Sequence, residues 1–206
     1  MSGFDHLEPH GVIVRPGFLE PDACRRLREA ASAARAESAT ITRNTGEVLV
    51  EERTRRTRRA VVPEECGQLL GQRLAPVARD LAERFGLAID ALQLPQFLVY
   101  GRGDFFRPHQ DSSRDARAME EIRLRRISLV VFLNAQTPRP EPDCFCGGAL
   151  TFLRLTPDVD ALRTPVPAQE GTLVAFRSDL WHEVTPVTHG ERHTAVTWLL
   201  GPEEEA

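Results

Sequence analysis

The chain has 206 residues, of which 41% are hydrophobic and 27% are charged, a composition typical of a soluble domain that can bury a full core. All 26 of its basic residues are arginine, and the absence of lysine excludes Schiff-base chemistry, pyridoxal-phosphate attachment and a P-loop phosphate grip. The net charge of −4 argues against a dedicated nucleic-acid-binding domain. The sequence contains no run of 18 apolar residues, so no transmembrane helix is expected.

Two helices are predicted in the first part of the chain. Residues 11–18 predict a short strand, and residues 20–36 predict a helix with Pro21 in its first turn. A second helical pattern covers residues 64–85, where Pro76 is expected to kink or divide the helix. These elements form a predicted support region over residues 1–88.

Between the helices, residues 39–51 predict a hairpin that turns at residues 44–46, and residues 53–62 predict a strand carrying five arginines. From about residue 89 onward, short β-rich runs are separated by Gly, Pro, Asp and Asn. This pattern indicates a sandwich or barrel over residues 89–200, followed by an acidic tail at 201–206, all in one domain. The predicted strands of this core are 92–100, 104–111, 124–134, 148–155, 172–176, 181–187 and 192–200.

The segment His109-Gln110-Asp111 is the first candidate for chemistry. Residues i and i+2 of a strand point to the same face, so the imidazole and the carboxylate are expected to project together. His182 is the best candidate for a third ligand, and two histidines with one carboxylate are the ligand pattern of non-haem Fe(II) oxygenases. The alternative is a structural histidine, with Asp111 capping the loop at Ser112-Ser113.

Three further residues could bind an anionic ligand beside this metal site. Arg192 follows His182 by ten residues and can grip a carboxylate bidentately. Thr194 lies two positions on and therefore on the same strand face, where its hydroxyl can donate a hydrogen bond. Tyr100, which is the only tyrosine of the chain, ends the strand that leads to the His-x-Asp segment.

In this order, the motifs resemble those of the Fe(II)- and 2-oxoglutarate-dependent oxygenases, most closely the prolyl 4-hydroxylase-like branch. The resemblance covers roughly residues 92–200 and combines the metal triad, a glycine pair and a cation ten residues beyond the distal histidine. The segments that carry it are 99–111 (VYGRGDFFRPHQD), 126–134 (RISLVVFLN), Gly147-Gly148-Ala149-Leu150, 171–176 (GTLVAF) and 181–198 (WHEVTPVTHGERHTAVTW).

The resemblance implies a mainly β fold with flanking helices, in which a double-stranded β-helix (jelly-roll) core is supported by two or three N-terminal helices. It implies that His109, Asp111 and His182 hold Fe(II), and that Arg192 binds the distal carboxylate of 2-oxoglutarate with help from Thr194 and Tyr100. It also implies O2 as cosubstrate and ascorbate as a supporting reductant. Related halogenases leave out the carboxylate ligand, so an aspartate at position 111 favours hydroxylation.

The resemblance implies hydroxylation of a C–H bond with release of succinate and CO2, most naturally on a protein or peptide and with proline as one target. The alternatives are a small-molecule substrate, such as a free amino acid or a natural-product intermediate, and a non-catalytic jelly-roll module for metal binding or sensing. The asparagine and second arginine that mark the nucleic-acid-demethylating branch are absent after Arg192. Nothing in the sequence predicts an oligomeric state.

Two other features have competing interpretations. The run Arg53–Arg59 either lines a groove for an acidic substrate or a phosphate, or forms a solvated strand edge that discourages edge pairing. Cys144 and Cys146 are interpreted as part of a plain loop, because no matching second pair exists for zinc. With four cysteines and no signal-peptide pattern, we expect reduced thiols and a cytoplasmic protein.

Overall fold

The computed structural model describes residues 5–38, 41–42, 48–49, 53–155 and 162–202. A short 3-10 helix spans Asp5–His10, and the α-helices are α1 Pro21–Ala33, α2 Glu64–Phe85 and α3 Glu120–Leu124. The strands are β1 Val12–Arg15, β2 Ala36–Ser38, β3 Ile41–Thr42, β4 Val48–Leu49, β5 Arg55–Arg56, β6 Arg58–Ala60, β7 Ala91–Leu92, β8 Gln96–Tyr100, β9 Phe105–His109, β10 Arg125–Phe132, β11 Cys146–Gly147, β12 Leu150–Leu153, β13 Arg163–Val166, β14 Leu173–Arg177, β15 His182–Val184, β16 Val187–His189 and β17 Arg192–Leu200.

The strands of the described residues form two main antiparallel sheets. The larger sheet has the order β1-β14-β10-β17-β8-β6-β2, with β7 paired to β17, and the smaller sheet has the order β13-β12-β15-β9-β5. Two short pairs, β3 with β4 and β11 with β16, lie outside these sheets. The arrangement confirms the predicted mainly β fold with a jelly-roll core and supporting helices.

The two predicted helices cover one face of the larger sheet. Helix α1 begins at Pro21 and buries Cys24 and Leu27, while α2 runs as one continuous helix through Pro76 and ends at Gly86, whose φ of 64° closes the C-terminus. Pro76 therefore does not divide the helix. Among the described residues, none of the helices combines the length and hydropathy that crossing a bilayer demands.

Strand β10 is buried on both faces because its side chains alternate between two hydrophobic clusters. Leu129 and Val131 pack with Leu74 and other residues of the helices, whereas Val130 and Phe132 pack in the cluster between the two sheets. The same period applies to β17, whose alanine and leucine at positions 195 and 199 face the helices. The even-numbered residues of both strands therefore face the smaller sheet, where the candidate site lies.

Two parts of the structure differ from the sequence-based prediction, and a third agrees with it. The predicted strand 53–62 is divided into β5 and β6, which belong to different sheets. Strand β13 was not predicted because its Arg-Thr-Pro-Val sequence contains a proline, which is tolerated at the edge of the smaller sheet. The paired strands β3 and β4 match the predicted hairpin, while its turn at residues 44–46 lies outside the described residues.

All four cysteines are free thiols. Cys24 is a fully buried residue of α1, and burial raises the pKa of its thiol to about 12. Cys146 belongs to β11 and pairs with His189 on β16, so this half of the predicted loop at Cys144-Phe145-Cys146 is a short strand. Among the described residues, Cys144 and Cys146 do not belong to any group of three side chains that could hold a metal ion.

Gly171 provides a test of the packing between the start of α1 and the larger sheet. It has a φ of +75°, and a Cβ added there would lie 2.1 Å from the Leu19 carbonyl oxygen. Gly17 has a similar φ of +66° with nothing within 4 Å of an added Cβ. We expect Gly17→Ala to lower the free energy of unfolding by about 1–2 kcal/mol through backbone strain alone.

Gly171→Ala adds a steric clash to the same strain, so we expect it to cost a further ~1–3 kcal/mol in urea unfolding. Equal losses in the two variants would show that the contact between Gly171 and Leu19 does not constrain the fold.

Candidate metal centre and cosubstrate pocket

The structure brings together the three residues predicted as metal ligands. His109 ends β9 and His182 begins β15, and the two are direct partners in the register of these strands. The Nε2 atoms of His109 and His182 lie 3.6 Å and 3.7 Å from the two carboxylate oxygens of Asp111. One donor atom from each residue can be chosen so that all three lie within 4.8 Å of one another. This geometry lets a single ion contact all three side chains.

The side chain of Asp111 is positioned by hydrogen bonds and not, as predicted, by strand alternation. It lies two residues beyond the end of β9, so strand alternation does not orient it. Its backbone N–H donates to the Ser178 carbonyl at 2.9 Å, and the Ser128 hydroxyl donates to its Oδ2 at 2.7 Å. The hydroxyls of Ser128 and Ser178 are themselves 2.9 Å apart. This buried pair of serines, which was not predicted, therefore orients the carboxylate.

The hydrogen bonds of the two histidines determine which ring nitrogen is available to a metal. His109 Nδ1 lies 2.8 Å from the Arg107 carbonyl oxygen, and His182 Nδ1 lies 2.9 Å from the Leu180 carbonyl oxygen. A carbonyl can only accept, so Nδ1 carries the hydrogen in both rings. Both Nε2 lone pairs therefore face Asp111, as expected for histidines whose other nitrogen is held by a backbone carbonyl.

The protonation states also suit a divalent cation. Burial and, to a lesser extent, the neighbouring His109 together lower the pKa of His182 to about 4, against the opposing effect of Asp111. Burial raises the pKa of Asp111, but the two imidazoles and Arg125 together lower it by more, so the carboxylate is ionised. Metal ligands must be deprotonated, and Asp111 and His182 are already in that form at neutral pH. The three residues therefore fit a divalent metal.

Arg192 is a buried cation without an acidic partner. It is 2% exposed, and its Nη1 donates to the Thr194 hydroxyl at 3.2 Å. Its guanidinium carbon lies 5.0 Å and 5.1 Å from the ring centroids of Tyr100 and Phe132. No carboxylate of the described residues forms an ion pair with it, and its buried Nε has no hydrogen-bond partner there. A buried charge in this state has the unused donors that an anionic ligand would satisfy.

Burial lowers the pKa of Arg192 to about 10, so the guanidinium stays positively charged at neutral pH. The glycine pair of the sequence motif makes room for it. A Cβ added to Gly148 would lie 3.1 Å from the Arg192 Cδ and 2.9 Å from Val187. The close approach of the Gly148 backbone therefore confines the arginine side chain to its present position.

One cavity of about 740 Å³ joins the buried arginine to the candidate metal site, a volume typical of small-molecule sites. Tyr100, Arg192 and all three residues of the His-Asp-His triad line it. Thr194 supports Arg192 but does not itself line the cavity. The apolar side chains that share the lining are Leu98, Phe106, Val130, Leu150, Val184, Val196 and Trp198.

Arg125, one of five arginines that line the cavity, was not predicted as a site residue. Arg125 packs its guanidinium 3.6 Å from the ring centroid of Trp198, and its Nη1 donates to the backbone oxygen of Asp111 at 3.4 Å. Its Nε donates to Gln93 at 3.2 Å. Arg125 and Trp198 are far apart in sequence and meet because β10 and β17 are neighbours, so no local pattern could indicate the pair.

The fold and the site together define a jelly-roll protein with a two-histidine, one-carboxylate centre facing a buried arginine. A sequence profile of the 2OG-Fe(II) oxygenase superfamily matches residues 95–200, which is about half of the chain. The chain therefore belongs to the 2OG-Fe(II) oxygenase superfamily.

Curated relatives include PKHD-type hydroxylases of two bacteria. The relative from Rhizorhabdus wittichii is 32% identical over 107 residues, and the one from Burkholderia thailandensis is 32% identical over 106 residues. Each match covers 51% of this chain and 42% of the relative. The matched part thus spans less than half the length of these relatives.

Solved structures share the fold over almost the whole chain. A Pseudomonas putida prolyl-4-hydroxylase has a TM-score of 0.67 at 24% identity and covers 95% of this chain and 96% of its own. A Trichoplax adhaerens prolyl hydroxylase, solved in complex with a hypoxia inducible factor oxygen degradation domain peptide, has a TM-score of 0.68 at 18% identity. That match covers 96% of this chain and 86% of the other. These likenesses confirm the jelly-roll fold.

The triad geometry predicts a divalent metal site that depends on His182. We expect His182→Ala to weaken Mn(II) binding more than ~100-fold, because removing a ligand should cost more than removing a residue that supports one. His189→Ala is the matched control, since His189 is exposed on β16 and lies outside the triad. Electron paramagnetic resonance of free Mn(II) measures both variants, and equal losses would exclude a specific site.

The serine pair predicts a smaller effect on the same measurement. We expect Ser128→Ala to weaken Mn(II) binding roughly 10–100-fold, because Asp111 loses the hydrogen bond that orients its carboxylate. Thr172→Val is the control, since it removes a buried hydroxyl that has no hydrogen-bond partner in the described structure. Unchanged Mn(II) affinity in Ser128→Ala would show that the hydroxyl does not position the ligand.

Proposed function

We propose that this chain is an Fe(II)- and 2-oxoglutarate-dependent dioxygenase that hydroxylates a C–H bond of its substrate with release of succinate and CO2. The observation that carries the proposal is the shared cavity, lined by a His-Asp-His donor set and by a buried arginine that has no acidic partner among the described residues. Membership of the superfamily implies Fe(II), 2-oxoglutarate and O2 as the reactants.

In this proposal, His109 and His182 hold the iron through Nε2, and Asp111 holds it through its carboxylate. Iron, when bound, would supply the activation of O2 and the oxidative decarboxylation of 2-oxoglutarate. The chain contributes the fixed orientation of the ligands, through the backbone carbonyls behind both histidines and through Ser128 behind the aspartate. Such preorganisation reduces the cost of assembling the site when the metal binds.

Arg192 is the proposed partner of the distal carboxylate of 2-oxoglutarate. Arg192 and the triad line the same cavity, which suits a dicarboxylate that contacts both the metal and the guanidinium. Thr194 holds one arm of the guanidinium through its hydroxyl, and Tyr100 places its ring beside the same group. We propose that the phenol of Tyr100 adds a hydrogen bond to the cosubstrate. The apolar side chains that line the cavity limit the access of water to the reacting centre.

For the substrate, a protein or peptide with proline as one target is our first candidate. The cavity opens beside Trp181, which is 51% exposed, and beside strand β5 at the edge of the smaller sheet. The Trichoplax prolyl hydroxylase of similar fold was solved with a peptide. A small molecule is the second candidate, because the cavity volume is in the range of small-molecule sites.

Succinate formation from 2-oxoglutarate tests the proposed reaction. The purified chain is incubated with Fe(II), ascorbate and O2, with and without prolyl peptides or free amino acids. We expect turnover that requires iron and is lost in His109→Ala, while His189→Ala retains it. A protein that binds the metal but neither binds nor turns over 2-oxoglutarate would instead fit a non-catalytic jelly-roll module for metal binding or sensing.

The role of Arg192 predicts a specific loss of cosubstrate binding. We expect Arg192→Gln to weaken 2-oxoglutarate binding by about 2–5 kcal/mol, because the charged hydrogen bonds to the distal carboxylate are removed. Arg84→Gln is the control, since Arg84 pairs with Glu8 on the surface. Calorimetric titration of the Mn(II)-loaded proteins measures the affinity, and an unchanged value in Arg192→Gln would reject the assignment.

A further inference from the structure

Arg192 lies at the end of its strand, where strand pairing holds the backbone on one side. It is the first residue of β17 and pairs with Tyr100 on the neighbouring strand β8. On the other side of β17, the register with β10 ends at the pair of Thr194 and Phe132. The ends of paired strands open more readily than their middles. The arginine proposed to bind 2-oxoglutarate therefore lies beyond this register, and a fixed position for it requires another support on that side.

The side chain of Asn134 supplies this support. Its Oδ1 accepts a hydrogen bond from the His193 N–H at 3.0 Å, and its Nδ2 donates to the Glu191 carbonyl at 2.8 Å. The Glu191 carbonyl belongs to the peptide unit before Arg192, and the His193 N–H belongs to the peptide unit after it. One amide group thus bridges both peptide units that flank the arginine, as the backbone of a neighbouring strand would.

The hydrogen bonds of Asn134 use its whole amide group. Nδ2 also donates to the Asp143 carbonyl at 3.0 Å, so the oxygen and both N–H donors of the amide are engaged. A backbone N–H can only donate and a carbonyl can only accept, so these partners determine which end of the amide faces which segment. Asn134 is 2% exposed. Because a buried, fully hydrogen-bonded amide has one favourable orientation, it forms a rigid bridge.

The segment on the far side of Asn134 is itself held in place. Arg28 on α1 forms an ion pair with Asp143 at 3.4 Å. Gly190, in the turn before β17, has a φ of +70°, and a Cβ added there would lie 2.3 Å from the Cys144 carbonyl oxygen. The turn before β17 therefore packs directly on the segment to which the asparagine is bonded, and helix α1 supports that segment.

We propose that Asn134 is a positioning residue for 2-oxoglutarate, because it holds the two peptide units from which the Arg192 side chain projects. The inference rests on the proposed oxygenase function and adds to it a residue that does not line the cavity. The Thr194 hydroxyl and the Gly148 backbone confine the arginine side chain. Its guanidinium meets a carboxylate with the right geometry only if the backbone is fixed as well, since a small displacement lengthens both charged hydrogen bonds.

Two substitutions of Asn134 test the proposal in the full chain loaded with Mn(II), without O2. Asn134→Ala removes all three hydrogen bonds, whereas the isosteric Asn134→Asp keeps an acceptor for the His193 N–H and loses both donors at neutral pH. We expect each variant to weaken 2-oxoglutarate binding about tenfold and to leave the Mn(II) affinity within about twofold of that of the unaltered protein. Water-proton relaxation of the Mn(II) complexes measures both affinities and also detects weak binding.

Thr197→Val is the matched control. Thr197 is a buried polar residue of the same strand, and its hydroxyl donates to the Gln93 carbonyl. This substitution also removes a buried hydrogen bond, and thermal unfolding measures the stability that each variant loses. Because Thr197 does not flank Arg192, we expect Thr197→Val to leave the affinity for 2-oxoglutarate within about twofold of that of the unaltered protein.

A double-mutant cycle shows whether Asn134 acts through Arg192. We expect Asn134→Ala to weaken 2-oxoglutarate binding by less than about twofold when it is introduced into Arg192→Gln, because the group that it positions is already absent. A merely structural role of the asparagine would produce the same loss in both backgrounds. Asn134→Asp takes the place of Asn134→Ala in the cycle if the alanine variant does not fold.

The outcomes separate this inference from the proposed function. An unaltered protein that does not bind 2-oxoglutarate, or unchanged binding in Arg192→Gln, contradicts the proposed function. If Arg192→Gln weakens binding, the inference alone is overturned by an unchanged affinity in the folded Asn134 variants or by an equal loss in the Thr197 control. An equal loss in both backgrounds of the cycle, or a parallel loss of Mn(II) affinity, overturns it as well.

Discussion

The candidate site depends on a buried positive charge that the described residues leave without an acidic partner. Removing a guanidinium from water costs several kcal/mol, and one hydroxyl and two aromatic faces compensate Arg192 only in part. The folded protein therefore tolerates a buried guanidinium whose hydrogen bonding would be completed by a bound anion. The same cavity is lined by an ionised Asp111 and by His182, which burial keeps neutral, so its lining presents both a positive and a negative group to a ligand.

The metal triad and Arg192 are placed by different sheets, so the distance between them depends on how the two sheets of the sandwich pack. His109 and His182 lie on strands of the smaller sheet, whereas Arg192 belongs to the larger one. The hydrogen bond from Ser128, on β10 of the larger sheet, to Asp111 directly connects the two. A register shift of one residue in β10 would replace this hydroxyl by an apolar side chain and direct it toward the helices. The alternation that builds the core thus also positions the carboxylate.

Sequence spacing was sufficient for the residues that lie in ordered motifs. His109, His182 and Arg192 could be predicted because each occupies a definite place in a strand, and the β-rich pattern after residue 89 indicated the sandwich. The residues that were missed act through contacts between distant segments. Within β10, Ser128 is the one polar residue of the apolar segment 127–132, and a buried hydroxyl needs a hydrogen-bond partner. That partner, Asp111, lies 17 residues away in sequence and could not be inferred from the local pattern.

The same limit explains the two local errors. Strand alternation was applied to Asp111, but β9 ends at His109, and a hydrogen bond to Ser178 determines where the next residues go. Residues 53–62 have the composition of one continuous strand, and nothing in that composition marks Thr57 as the point where the chain leaves one sheet for the other. Both errors arise where a segment's hydrogen-bond partners lie far away in sequence.

The exclusive use of arginine has a physical consequence in this cavity. Three of its guanidinium groups lie over aromatic rings, with Arg125 at 3.6 Å from Trp198, Arg55 at 4.7 Å from Phe106 and Arg192 beside Tyr100. A planar, weakly hydrated guanidinium can stack on a ring and still direct N–H donors at an anion, which a strongly hydrated ammonium does less well. Aromatic packing therefore holds several positive charges around one cavity, and a bound anion can complete the hydrogen bonding of Arg192, which has no acidic partner among the described residues.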